Sequence, residues 1–266
     1  GFKTVAMEVS SHALDQVRVN GVQFDVAVLT NLTRDHLDYH GTVEAYAEAK
    51  RKLFHWPALQ QAVLNLDDAF GRCLAEELQA SSVQVWGYGV GNAAHYPAHS
   101  VIATAAKFDA QGIQATVVTP VGSGELIAPV LGRFNLHNLL AALSSLLAKG
   151  LPLDTALAAL KQVQTVPGRM QRVQVAGKAE DVLVVVDFAH TPTALQQALR
   201  AAKAHTTGRL ICVFGCGGDR DAGKRPLMAK IAEQEANQVI VTDDNPRTEN
   251  PELIFSHIQA GFAQAE

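Results

Sequence analysis

Short apolar runs alternate along this chain with stretches whose apolar positions recur every three or four residues. The runs predict buried strands and the recurring stretches predict amphipathic helices. Strands are expected at 4–9 (TVAMEV), 24–32 (FDVAVLTNL) and 62–66 (AVLNL), with helices at 42–56 and 68–79. From 83 to 131 the rhythm changes. VQVWGYG, HSVIATAAKF, GIQATVVTPV and ELIAPVL all read as strands, and short glycine-containing turns join three of them, which predicts a small antiparallel sheet. Asn135 is placed to cap a helix that ends at Gly150, and Asp154 one that runs to about Gln164.

VPGR at 166–169 interrupts the pattern, and a domain boundary is expected there, giving domains 1–166 and 167–266. Beyond it, strands at 173–177, 182–188, 210–214 and 238–243 alternate with helices at 193–204, 225–236 and 251–263, as in a small Rossmann-like unit. The predicted class is α/β: a parallel sheet with a small antiparallel sheet, then the Rossmann-like domain.

Composition adjusts this picture little. At roughly 100–200 residues per domain, 266 residues suit two domains. Hydrophobic residues make up 48%, enough for packed cores. A net charge of −4 with no long run of one sign argues against nucleic acid as a partner, and no apolar stretch is long enough for a membrane span. Cys73, Cys212 and Cys216 form neither a C-x-x-C pair nor a metal-ligand array, which fits a reducing cytoplasm. The chain opens without an initiator Met and stops inside a helical pattern, so it reads as a piece of a longer protein.

The candidate chemistry begins with Lys50. The helix at 42–56 carries an apolar stripe of Val43, Tyr46, Ala47, Leu53 and Phe54, and Lys50 occupies the stripe's missing position. Glu44, Glu48, Arg51 and Lys52 lie off the stripe, and Glu48 with Lys52 makes a favourable i, i+4 pair. Two readings of Lys50 stand. Its stem is buried with the amine in water, or its amine is turned into a site. There burial would lower its pKa and let it react with carbon dioxide to give a carbamate. Glu8 and Ser10 end one predicted strand, and Asp35, His36 and Asp38 follow another. In open α/β sheets ligands bind beyond the carboxyl ends of strands. Each of these residues alone is also explained as a cap or turn. Together with a carbamate they would suit Mg²⁺, which keeps waters and bridges to phosphates.

Other motifs leave similar alternatives. VSSHALDQVR combines hydroxyls, an amide and a cation after a strand. Asn135 caps its helix or faces a ligand, and Asn138 lies one turn on. In DFAHTP, Asp187 and His190 close a strand or cap the next helix. FGCGGDRDAGKRP lacks the phosphate-loop pattern, but its amides can form an anion nest. Lys224 and Arg225 within it read as solvated. TDDNPR places Arg247 after an Asn-Pro turn, which does not itself require an arginine.

In this order, MEVSSHAL, NLTRDHLDYH, YAEAK, GRFNLHNLLAAL, PGRM, DFAHTP, FGCGGDRDAGKRP and TDDNPR resemble the motifs of the Mur ligases, across essentially the whole chain. The resemblance implies a truncated central ATPase-type domain followed by the family's C-terminal domain. It implies that Lys50 is carbamylated and, with His36 and Glu8, forms the catalytic set that holds Mg²⁺. It assigns Ser10, Gln16 and Arg18 to the UDP-MurNAc-dipeptide substrate. Asn135, Asn138, Arg169, Asp187 and His190 are assigned to ATP. Arg220, Asp244, Asn245, Pro246 and Arg247 are assigned to meso-diaminopimelate. DNPR marks members that add diaminopimelate, and lysine-adding members differ there. The chemistry agrees, because diaminopimelate carries a second carboxylate for Arg247 where lysine has only an ammonium.

The implied reaction is ATP-dependent amide formation in peptidoglycan biosynthesis. The D-Glu carboxylate of UDP-MurNAc-L-Ala-D-Glu is phosphorylated, and the diaminopimelate amine displaces phosphate. The family's phosphate-binding loop, its N-terminal uridine-binding domain and its G-x-x-E segment have no counterpart in the chain. The 266 residues alone are therefore expected to be inactive. A cytoplasmic monomer is expected. Two alternatives are another amide ligase, lysine-adding or folylpolyglutamate synthetase-like, and a non-catalytic ligand-binding module.

Overall fold

The computed structural model describes residues 4–33, 36–173 and 182–263. Its largest sheet has six strands in the order β1 (Val26–Leu29), β2 (Gln61–Asn65), β3 (Gln84–Val90), β4 (Ser100–Asp109), β5 (Gly112–Thr119) and β6 (Gly122–Ala128). The first four run parallel, pairing Val28 with Val63, Val63 with Trp86, and Tyr88 with Val101. Connections of two residues join β4 to β5 and β5 to β6, too short for crossovers, so these neighbours are hairpins. The parallel and antiparallel parts predicted from the sequence are thus one continuous mixed sheet.

Ala62, Val63 and Leu64 of β2 are fully buried, as a central parallel strand requires. Leu29 and Leu66 join Ala62 and Leu64 in a cluster with Phe54, Phe70, Leu74 and Leu78. Buried Tyr88 donates its hydroxyl to the Leu29 carbonyl at 2.8 Å. The helices of this region are α1 (Ser11–Asp15), α2 (Leu37–His40), α3 (Val43–Arg51), α4 (Ala69–Glu77), α5 (Arg133–Ala148) and α6 (Leu153–Leu160). Thr42 caps α3 by accepting the Ala45 amide at 3.1 Å. Asp68 caps α4 by accepting the amides of Phe70 and Gly71 at 2.9 and 3.3 Å.

After Val166 come β7 (Gln171–Val173) and β8 (Val184–Val186), an antiparallel pair, and β9 (Ile211–Phe214) and β10 (Gln238–Val241), a parallel one. With them are α7 (Pro192–Ala204), α8 (Lys224–Glu235) and α9 (Pro251–Gln259). Thr191 and Asn250 cap α7 and α9, each with proline in the first turn. Leu195, Leu199, Cys212, Phe214, Met228, Ala229, Ile254 and Ile258 form their core. Burial pushes the Cys212 thiol up to about 11 and raises that of Cys216, whose sulfur lies 3.9 Å from that of Met228, while Cys73 is exposed.

The chain divides into two compact units. One comprises Gly1–Ala106, Ala115–Leu126 and Leu136–Lys161, and the other Lys107–Gln114, Ile127–Asn135 and Gln162–Glu266. Within the second, buried His205 donates from Nδ1 to the Asp109 carbonyl at 2.7 Å and accepts the Gly132 amide at Nε2, 2.8 Å away. Among the described residues no helix is long and apolar enough to cross a membrane.

Several expectations need correction. Residues 4–9 are not a strand but an extended segment, with Val5 and Met7 74% and 52% exposed. Among the described residues no ladder pairs with it, and an apolar run without a ladder partner has no reason to be counted as sheet. Asn135 does not cap α5. The helix starts at Arg133, and Asn135 donates instead from its side-chain Nδ2 to the Leu131 carbonyl at 2.7 Å. Asp154 lies in the first turn of α6, beyond an N-cap at Pro152. The helix at 42–56 gives way to a 3₁₀ turn at Lys52–His55. Glu48 pairs with Arg51 at 3.1 Å rather than with Lys52, which reaches Asp15 at 2.8 Å. The strand expected at 173–177 lies, after Val173, outside the described residues.

Candidate active site

Lys50 is half-buried, and its Nζ lies 5.3 Å from the centre of the buried Tyr46 ring. His36 meets the same ring edge-on at 5.6 Å, and His40 stacks on it at 5.4 Å. His12, from α1, lies 5.0 Å from His36 and 5.4 Å from His40. The segment before α3 thus brings His36 to the same aromatic residue of α3 that Lys50 lies beside, with two further histidines next to them. His36 holds a left-handed backbone, φ 55°, which is unusual for a residue with a side chain and common where a loop is shaped for function. His40 approaches the Ser11 hydroxyl at 2.9 Å, and burial together with the His12 ring lowers its pKa.

Glu8 is exposed in the extended segment ahead of α1. Ser10 spends its hydroxyl on the cap of α1, accepting the Ala13 amide at 3.1 Å. Gln16 donates to the Tyr39 hydroxyl at 3.2 Å, Tyr39 donates to Asp15 at 3.0 Å, and Arg18 is exposed. Among the described residues no three His, Cys, Asp or Glu side chains are grouped so as to hold a metal ion.

At the start of α5, Asn138 is exposed and Asn135 half-buried. His137 between them lies 2.8 Å from Asp67, which also accepts from the Tyr96 hydroxyl at 2.6 Å and the Val90 amide at 3.0 Å. Burial works to raise the Asp67 carboxyl, but the hydrogen bonds from His137, Tyr96 and Val90 outweigh it and hold it below the usual range. Burial and the same bond push the Tyr96 phenol up to about 12. The sequence reading missed this trio. The only signal was an Asp67–Asp68 pair at a position where one aspartate suffices as cap.

In the second unit, Asp187 braces the turn before β7: its carboxylate accepts the amides of Met170 at 2.8 Å and Ala189 at 2.9 Å. Arg169 lies 5.4 Å from the Phe188 ring, and His190 meets that ring edge-on at 5.7 Å. Phe188 is 66% exposed, so cation, ring and imidazole form one surface. Lys224, expected in solvent, donates to the His190 carbonyl at 2.8 Å. Arg225, also expected in solvent, is buried. Inside, its guanidinium is matched by Glu249, His257 and the Gly217 carbonyl.

That loop and the segment Asp244–Glu249 are joined along their length. The Gly218 amide donates to the Asn245 carbonyl at 2.9 Å, and Arg247 Nη1 donates to the Gly218 carbonyl at 2.6 Å. The Arg247 amide donates to the Asn245 side chain at 3.1 Å, behind Pro246. A Cβ on Gly218 would lie 1.8 Å from the Pro246 carbonyl oxygen, so only glycine permits the approach. Arg247, Asp244, Asn245 and Arg220 are all exposed. Arg220 and Arg247 are therefore carried on two segments that are hydrogen-bonded to each other, a surface suited to carboxylates.

Family models describe both halves of the chain: the Mur ligase middle domain matches residues 1–146, and the Mur ligase glutamate ligase domain matches residues 168–266. The chain belongs to the Mur ligases. The UDP-N-acetylmuramoyl-L-alanyl-D-glutamate–2,6-diaminopimelate ligase of Pseudomonas aeruginosa is 55% identical over the whole chain, which spans 53% of that protein. The ligase of the same name from Coxiella burnetii is 53% identical over 98% of the chain and 53% of its own length. This Mur ligase chain thus spans about half the length of the curated relatives it matches. A solved structure of a ligase of that name superposes with a TM-score of 0.75, 42% identity, and coverage of 96% of this chain and 51% of that one. The Mycobacterium tuberculosis folylpolyglutamate synthase, at 22% identity and a TM-score of 0.63, shares the fold.

Proposed function

We propose that this Mur ligase chain is part of an enzyme that joins meso-diaminopimelate to the D-Glu carboxylate of UDP-MurNAc-L-Ala-D-Glu, and that the 266 residues alone are inactive. The observation that carries the reading is the braced rim bearing Arg220 and Arg247, in a chain 55% identical along its whole length to a ligase with that name. ATP transfers its γ-phosphoryl group to the carboxylate oxygen, releasing ADP. The amine then attacks the acyl phosphate, phosphate leaves, and a proton is lost from nitrogen. A bare carboxylate has no usable leaving group, and phosphorylation supplies one.

The roles follow from the chemistry of each group. Arg247 pairs with the distal carboxylate of diaminopimelate, a charge-assisted and geometrically selective contact. Arg220, Asp244, Asn245 and Pro246 complete that end. Arg169, Asp187 and His190 bind ATP, with Asn135 and Asn138. Ser10, Gln16 and Arg18 meet the sugar-peptide. Around Tyr46 the chain offers an amine and imidazoles, nitrogen donors that suit Mg²⁺ poorly. A carbamate on Lys50 would replace the amine with oxygens, which suit Mg²⁺ better, and Lys50, His36 and Glu8 are the residues that would hold it. The ion would supply charge neutralisation at the nucleotide phosphates. A cytoplasmic, monomeric enzyme is consistent with ATP and a nucleotide-linked sugar as substrates.

The test compares meso-diaminopimelate with L-lysine as acceptor in the full-length ligase and its Arg247→Ala variant. Loss of one charge-assisted contact of about 1.5–3 kcal/mol predicts a fall of roughly 10- to 150-fold in kcat/KM for diaminopimelate. An unchanged value removes Arg247 from the specificity argument. For the carbamate, ¹³C-bicarbonate should give a carbamate carbon signal that Lys50→Arg abolishes.

A further inference from the structure

Arg225 is 1% exposed, among the most deeply buried large side chains in the chain. It is the second residue of α8, at the end of a helix dipole that disfavours a cation. A guanidinium is kept inside a protein only if its donors are matched. Here they are matched by three separate segments. Nη2 donates to Glu249 Oε1 at 2.8 Å and to the Gly217 carbonyl at 3.3 Å, and Nη1 lies 3.0 Å from His257 Nδ1. A guanidinium has no acceptor, so His257 must accept at Nδ1 and carry its hydrogen on Nε2. Glu249 Oε1 in turn accepts the Asp219 amide at 2.7 Å, and the Asp219 carboxylate accepts the Thr248 amide and hydroxyl at 3.1 and 2.8 Å. The hydrogen bond to Glu249 holds Arg225 above its usual pKa and Glu249 below, as expected of a committed ion pair.

The consequence concerns the backbone above this network. Asp219 and Arg247 both adopt the left-handed region, with φ 52° and 50°. Aspartate tolerates that conformation better than most residues, whereas for arginine it is costly and persists only where the surroundings hold it. Glu249 reaches both places, accepting the Asp219 amide and donating its own amide to the Pro246 carbonyl at 3.0 Å, while Arg225 holds Glu249 and the Gly217 carbonyl.

We propose that Arg225, through Glu249, is the positioning residue that keeps the Gly217–Arg220 loop and the Asn245–Arg247 turn in the one spacing where their two arginines engage a single acceptor amino acid bearing a second carboxylate. It does not touch substrate. This inference rests on the reading above that the rim takes diaminopimelate.

The test uses the full-length ligase with Arg225→Lys and Glu249→Gln, the second leaving the guanidinium its Gly217 and His257 partners. Each is expected to raise KM for diaminopimelate at least tenfold, to leave KM for ATP within twofold, and to narrow the preference over lysine. Backbone amides of 215–220 and 244–249 should exchange faster together, with α7 unaffected. A purely structural role predicts instead that all Michaelis constants and the melting temperature shift in step. That result, or an unchanged KM for diaminopimelate in both folded variants, would overturn the proposal. Wild-type enzyme that ignores diaminopimelate would overturn the substrate reading itself. Unlinked exchange of the two loops with normal wild-type turnover would overturn the brace alone.

Discussion

Asp67 shows how one side chain is held by its surroundings and what that implies for pH. Its carboxyl is depressed below the ordinary 3.8 by the bonds from His137, Tyr96 and Val90. A depressed carboxylate stabilises the fold above its unfolded pKa, and that contribution is lost as pH falls through the folded value. Asp67→Asn should therefore cost about 1 kcal/mol at neutral pH, given the partial exposure of the pair. The difference from wild type should close as pH drops below 3.8, as read from urea midpoints measured across pH. A gap that persists at low pH would mean that shape rather than charge sets the cost. Residues of this kind also mark what the sequence can tell. Lys50 is legible because it interrupts an apolar stripe, a local pattern. His12, Asp67 and His137 are not, because their partners are tens of residues away and nothing in their own neighbourhood signals the pairing. Arg225 leaves a faint trace, a cation in a first turn beside proline, where the helix dipole opposes it.

Among elements, β2 and α4 meet at close range. Gly71 in the first turn of α4 faces the end of β2 so closely that a Cβ would stand 1.9 Å from the Asn65 carbonyl oxygen. Both sides of that contact are backbone, which cannot turn aside. Gly71→Ala should destabilise the protein by about 2–3 kcal/mol, measured by chemical denaturation, although alanine is the better helix former. Most elements here are legible because their signals are local: Asp68, Thr191 and Asn250 cap the helices that follow them, and β2 reads as an unbroken apolar run. Residues 4–9 read the same way yet form no strand, since an apolar run states a preference for burial and cannot supply a ladder. The start of α5 is misread for a related reason. Gly132 and Arg133 carry no cap signal, and Asn135, the best cap residue nearby, already lies inside the first turn.

At the level of the whole molecule, each unit has a core of its own, and the second draws on segments remote in sequence. His205 is the tie, 3% exposed, bonded to the backbone at Asp109 and at Gly132. His205→Ala should leave both groups unmatched and destabilise that unit by about 2 kcal/mol, seen as a lower denaturant midpoint for a probe in α7. We propose the junction at Val166–Arg169 as the domain divide, a reading that rests on its proline and glycine. The placement of the sulfurs bears on how the two units are followed. Cys73 lies open in the first, while Cys212 and Cys216 are sealed in the second. A brief pulse of alkylating reagent should therefore add one mass tag to the native protein. Each molecule whose second unit has opened should take up three, so a mass spectrum taken during unfolding records that unit's fate without any introduced label.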